Sequence, residues 1–222
     1  MIPEHYARDI VERCETLIES LLPVVMQEPA KRFGGPLGTT FLVAMSTPMI
    51  LLPIERMLKP AANRDSVADD RTVDESLGKA VAETLGATTT FGDTPFGRAG
   101  AWSYVAGQRR FNLAGGIPSE LLNRLAEDES SSAALSTPAV RVLTDLRNAL
   151  AHGGVAYLDD RGRQTDGQAA MLAFVGAVMK GGRITGVNVL RIGERDYRQF
   201  LAAWASWLRR AGVTAALNER AA

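Results

Sequence analysis

One cysteine and two histidines are all this 222-residue chain contains of the commonest soft-metal ligands. Cys14 alone closes neither an internal disulfide nor a thiolate-rich metal site. Net charge is zero, which argues against an indiscriminate nucleic-acid binder. The amino terminus lacks the charged, apolar and small-residue order of a signal peptide, so cytoplasmic residence is the expectation. The longest apolar stretch, 41–54, contains Ser46, Thr47, Pro48 and Pro53 and falls short of the roughly 20 residues that span a bilayer. A buried, proline-bent helix is expected there, and no membrane partner. The sequence has no HExxH, no glycine-rich phosphate loop before a Lys-Ser/Thr pair, no GxSxG and no acidic cluster at metal-ligand spacing. No metal and no cofactor are expected.

What is present is enough apolar sequence, 46%, to bury a sizeable core in one domain over 1–222. The charges are unevenly placed. Residues 1–135 carry 13 Lys+Arg against 18 Asp+Glu, and residues 136–222 carry 12 against 7, 11 of those 12 bases being arginine. The second part therefore suits phosphate, whose oxygens match the guanidinium fork. Solvated helix and strand faces would explain the same arginines.

Periodicity predicts a mainly α fold, with a helical core over about 4–152, a small antiparallel β-sheet over about 154–192 and a C-terminal helix over about 194–210. Ile10, Cys14, Leu17, Ile18, Leu21, Leu22 and Val25 mark an amphipathic first helix, which Pro23 should kink. A Gly-Pro turn over 33–38 precedes the apolar helix, which Thr39 or Thr40 can cap and which runs towards Leu58. Residues 60–74 read as a loop, 74–85 as a short helix ending at Gly86, and 87–116 as loops with a short strand near 102–106. A helix over 118–127 is followed by the serine run 130–132 and Ser136, which read as a loop. Residues 155–158, 171–179 and 184–192 read as strands, with 171–179 open to a helical alternative because of its Ala and Met content. Tyr197, Phe200, Leu201, Trp204, Trp207 and Leu208 recur at helical spacing as a core face.

The chemistry concentrates in one helix. Thr137 is its expected N-cap and Pro138 its first residue, and Gly153 ends it after His152. At about 100° per residue, Ala139, Leu143, Leu146 and Leu150 share the core face, and Arg141, Asp145, Asn148 and His152 share a polar stripe opposite. Arg147 falls at the margin of the apolar face, about 140° round from His152. On one regular helix the guanidinium and imidazole do not meet. Either the last turn loosens, or a second copy completes the site across a two-fold axis.

Arginine and histidine without metal suffice to cleave RNA, whose 2′-hydroxyl is an internal nucleophile. His152 is the candidate proton donor or acceptor, Arg147 the candidate phosphate clamp, and Asn148 the auxiliary polar residue. A histidine at a helix C-terminus is explained equally by the helix dipole. Arg141 and Asp145, one turn apart, are expected to pair at the helix surface, and Glu55 with Arg56 as a helix-end ion pair. His5 lies near the terminus and is read as solvent-exposed.

The string Leu146-Arg147-Asn148-Ala149-Leu150-Ala151-His152-Gly153 resembles the signature of the HEPN superfamily, whose ribonuclease members carry Arg, four to six residues, then His. The Pro48-Met-Ile-Leu-Leu-Pro-Ile-Glu-Arg-Met57 run and the Gly186–Arg191 segment are similar to a bacterial, often plasmid-borne branch of HEPN nucleases. The resemblance implies an HEPN-like helical bundle that dimerises through the motif helices. It also implies metal-independent endoribonuclease activity, and a role in toxin–antitoxin systems, with a possible antitoxin partner, or in antiphage defence. It carries Arg147 and His152 over as catalytic and Asn148 as auxiliary. Arg141, Arg161 and Arg163 are the candidate RNA-binding side chains. The competing expectation is a non-catalytic helical module that binds RNA or a protein.

Overall fold

The structure is a computed structural model that describes residues 6–59, 66, 68–72 and 75–219. His5 lies outside them, as does most of the expected 60–74 loop. The chain is mainly α with a four-stranded antiparallel sheet. Its helices are α1 (Tyr6–Val25), α2 (Gly38–Pro53), α3 (Glu75–Thr84), α4 (Ser119–Leu125), α5 (Asp128–Ser136), α6 (Ala139–Ala151) and α7 (Glu194–Glu219). Its strands are β1 (Ser103–Gln108), β2 (Val155–Leu158), β3 (Met171–Lys180) and β4 (Arg183–Gly193), ordered β1-β4-β3-β2.

Residues 171–180 pair as strand β3 along nearly the whole of β4, which settles the strand-or-helix alternative. The β3–β4 connection is two residues, Gly181 and Gly182, at φ 57° and 75°. Both values favour glycine and match the primed hairpin turn, whose twist fits the strands. The register sets the faces. Leu172, Phe174, Leu190 and Ile192 point into the main core with α6 and α7. Ala173, Val187 and Val189 point the other way, into a smaller core closed by Ile117, Leu121 and Leu125. The sheet therefore sits between two apolar layers.

The aromatic centre of the main core comes from α7 and from the irregular 87–116 region. Phe91, Phe96 and Trp102 meet Tyr197, Phe200 and Trp204 in mostly edge-on and tilted contacts, which suit ring quadrupoles.

Helix α2 continues through a π-helical turn, Ile54–Leu58. Pro53 has no amide hydrogen to offer Met49 one turn earlier, and the Trp204 indole N–H donates to Met49 O instead (2.9 Å). Tyr197 Oη likewise donates to Ser46 Oγ (2.7 Å). Together, 38–58 is a 21-residue helix long and apolar enough to cross a membrane by length and composition, and α7 and α1 pack along it.

Several local expectations change. Helix α2 has Leu37 at its N-cap with no side-chain bond. Thr39 does not cap it but donates to Glu194 Oε2 (2.7 Å), tying α2 to the first turn of α7. The serine run is helix α5. Asp128 and Glu129 fall in its first turn, where the helix dipole favours acids, and Ser130, Ser136 and Thr137 hydroxyls fold back on preceding carbonyls. Thr137 therefore ends α5, and Pro138 takes the N-cap of α6. The buried first-turn amide of Ala139, which has no acceptor within the helix, donates to Thr89 O (3.0 Å). On α1, Leu17, Leu21 and Val24 stay exposed, so its buried stripe is narrower than the apolar periodicity.

Candidate active site

Helix α6 is buried on two sides. Val142, Leu143, Leu146, Ala149 and Leu150 are all in the main core, with α2 on one side and β3 on the other. Gly176 of β3 makes the sheet contact possible, because a Cβ there would lie 3.0–3.2 Å from Asp145 atoms.

That contact overturns the expected polar stripe. Asp145 is 3% exposed, and its Oδ2 accepts from Tyr104 Oη (2.8 Å), Asn188 Nδ2 (2.9 Å) and Arg141 Nε (3.2 Å). The Gly107 amide donates to Asn188 Oδ1 (2.8 Å) and fixes that side chain. A buried carboxylate needs such donors. Burial, with Asp145 beside it, holds the Tyr104 hydroxyl well above its ordinary pKa. Arg141 does pair with Asp145, but the pair is half sunk rather than superficial.

Arg147 turns the other way, towards the π-turn that ends α2. Its Nη2 forms an ion pair with Glu55 Oε1, Nη1 donates to Asn148 Oδ1 (2.9 Å), and Nε is buried with no acceptor. Glu55 also holds Lys59 through its second oxygen. Arg56 pairs with Asp70 instead of Glu55, which corrects the expected helix-end pair. Glu55, Lys59, Thr144, Arg147 and Asn148 line a cavity of about 140 Å³ over apolar Ile54, Leu58 and Val140. The π-turn widens the backbone where Glu55 and Lys59 project, a device common at functional sites.

His152 is exposed and caps α6, at φ −113° and ψ 13°. Its amide donates to Asn148 O (3.1 Å), Gly153 follows at φ 68°, and the Gly154 amide donates to Ala149 O (2.7 Å). This is the Schellman closure that a left-handed glycine permits. The Val175 amide then donates to Gly154 O (2.7 Å), anchoring the helix end to β3. Among the described residues the His152 imidazole meets no hydrogen-bonding partner.

The structure thus brings the Asn148 side chain to Arg147 and leaves the His152 imidazole bonded to neither side chain, although the His152 amide donates to Asn148 O. Arg161 and Arg163 are exposed on the turn after β2, beyond the end of the strand that starts near His152. Asp159 Oδ1 accepts both their amides (3.0 and 2.8 Å) and shapes that turn. Sequence reasoning missed Glu55 and Lys59 as neighbours of Arg147; their four-residue spacing was the available signal. It also missed Tyr104 and Asn188, which no local pattern joins to Asp145. Among the described residues no group of three or more metal-ligating side chains is assembled. Comparison with family models, with curated proteins and with solved structures finds no match.

Proposed function

We propose that the chain is a metal-independent endoribonuclease of the HEPN type, active as a homodimer through its α6 helices and serving toxin–antitoxin or antiphage defence in the cytoplasm. The observation that carries this is the placement of the motif: a helix buried on two sides ends in an exposed imidazole that has no hydrogen-bonding partner among the described residues, with an arginine about one and a half turns earlier at the wall of a cavity lined by polar and apolar side chains.

The 2′-oxygen of the substrate attacks the adjacent phosphorus, the 5′-oxygen leaves, and the products end in 2′,3′-cyclic phosphate and 5′-hydroxyl. His152 takes the 2′-hydroxyl proton or supplies one to the leaving oxygen. Arg147 binds the non-bridging oxygens, where charge grows in the transition state, and Asn148 holds the guanidinium plane. In the isolated chain Glu55 occupies Arg147, so RNA phosphate competes with that carboxylate. Because Arg147 and His152 diverge round α6 by about 140°, each functional pair draws one residue from each copy.

The ion pair also favours a second reading, a non-catalytic binding module in which Arg147 only fastens α6 to α2. Incubation with single-stranded RNA in EDTA separates the two. Cyclic-phosphate ends, lost in His152→Ala at unchanged thermal stability, are expected of the nuclease. Intact RNA, or cleavage that persists in His152→Ala, overturns the assignment.

A further inference from the structure

Arg191 of β4 is half-buried on the face of the sheet opposite α6. Among the described residues five arginines have intermediate exposure: Arg56, Arg71, Arg147, Arg191 and Arg209. Four take a carboxylate with them, Asp70, Asp69, Glu55 and Glu15 respectively. Arg191 has none. Among the described residues its one polar side-chain contact is a long approach of Nη2 to Ser103 Oγ (3.4 Å), on the residue paired with it across β1 and β4. A cation drawn partly out of water with no counter-charge is costly, and burial lowers the Arg191 pKa.

The surroundings fit an anion from outside. Arg191 Nη1 lies against Gly162, where a Cβ would come within 2.9 Å of it. Gly162 holds φ 74° in the turn that carries Arg161 and Arg163. The Asp159 carboxylate in that turn accepts the Arg161 and Arg163 amides, and the Gly162 amide donates to Asp159 O. Three arginines therefore converge on one turn: one anchored in the sheet, two free at the surface.

We propose that Arg191, with the Ser103 hydroxyl and the flanking Arg161 and Arg163, forms a phosphate-binding seat. Arg191 presents a fixed fork to two oxygens, Ser103 offers a hydroxyl, and the two exposed arginines add long-range attraction. The natural occupant is a backbone phosphate of RNA bound along edge strand β2. The four residues of that strand, about 13 Å at roughly 3.3 Å each, separate the turn from the His152 end of α6. The identity of the occupant rests on the ribonuclease reading; the phosphate chemistry does not.

The test uses two probes, a fluorescent 2′-O-methyl RNA 12-mer, which lacks the attacking hydroxyl, and inorganic phosphate. Arg191→Gln is expected to weaken 12-mer binding about tenfold and to lower the salt-dependence slope by about one. Arg191→Lys should fall between, keeping charge and losing the fork. Ser103→Asp supplies the missing carboxylate, so it should abolish the same increment while raising the melting temperature; it keeps the test decisive if Arg191→Gln fails to fold. Inorganic phosphate should raise the wild-type melting temperature above that in chloride of equal ionic strength, and not that of Ser103→Asp. A phosphate response that needs Arg191, with 12-mer binding that does not, assigns the seat to a free phosphate compound. Wild-type 12-mer affinity and phosphate response in Arg191→Gln and Ser103→Asp overturn the seat. Failure of the wild type to cleave RNA, with Arg191-dependent binding intact, overturns the nuclease reading alone.

Discussion

Replacing Glu55 by glutamine removes the charge that holds both Arg147 and Lys59 at the α2–α6 junction. The side chains of Arg147 and Glu55 are 20% and 27% exposed, so the pair lies between a buried one, whose disruption costs about 3–5 kcal/mol, and a surface pair worth about 0.2–1 kcal/mol. Arg147 already has a buried Nε without an acceptor, and Glu55→Gln leaves it only neutral amide oxygens, that of the substituted side chain and that of Asn148, with no counter-charge. About 2–3 kcal/mol is expected for Glu55→Gln. Arg147→Gln should cost less, about 1–2 kcal/mol, because Glu55 keeps Lys59. For a chain of this size the first figure corresponds to a fall of about 4–12 °C in melting temperature. Thermal and urea unfolding of both single variants and the double variant, followed by circular dichroism, should give a coupling of about 1–2 kcal/mol. Costs that add to within about 0.5 kcal/mol, or a melting temperature unchanged in Glu55→Gln, would refute a stabilising Arg147–Glu55 pair. Below the unfolding range Glu55→Gln should also cleave RNA faster than the wild type, because its Arg147 is free to bind phosphate.

Two further outcomes follow from the site's surroundings. Gly153 has open space around its absent Cβ and a positive φ, whereas a Cβ on Gly154 would fall 2.3 Å from Val175 O. Gly153→Ala should therefore cost only about 1 kcal/mol of backbone strain, and Gly154→Ala about 3 kcal/mol with loss of the α6–β3 anchor; equal unfolding midpoints for the two would contradict this. Burial raises the pKa of the Tyr104 and Tyr197 hydroxyls, with Asp145 adding to the shift at Tyr104. A raised folded pKa contributes stability that is complete below about pH 10, the unfolded value, and is lost as pH climbs above it. Absorbance at 295 nm should show two of the four tyrosines ionising only as near-ultraviolet dichroism collapses. Reversible titration of all four near pH 10 with the dichroism intact would contradict this burial.

Elements with a sustained apolar pattern were legible in the sequence. The 3.6-residue spacing of α6 and α7, the apolar runs of β2 and β4 and the Gly181-Gly182 turn each carry a local signal, and each element begins within a residue of where it was expected, although α7 runs on to Glu219. The region 87–116 was opaque because Phe91, Phe96 and Trp102 reach the core from short turns with no sustained period. The serine run misled because hydroxyls that favour loops can equally bond helix carbonyls. The site was half legible. Local spacing separated Arg147 from His152 and paired Arg141 with Asp145, but Tyr104 and Asn188 at Asp145, Glu55 at Arg147 and Ser103 at Arg191 come from distant segments. Asp145 shares its helical stripe with exposed residues, and only the sheet laid over it makes it a buried carboxylate.

The proposed nuclease requires Arg147 from one copy and His152 from the other. Arg147→Gln and His152→Ala chains, each inactive alone, can be co-refolded and their cleavage of RNA measured in EDTA, with native mass spectrometry confirming mixed dimers. A mixed two-fold dimer keeps one intact Arg147–His152 pair, so an equimolar mixture should recover about a quarter of wild-type activity. Mixed dimers that form and remain inactive would contradict the shared site.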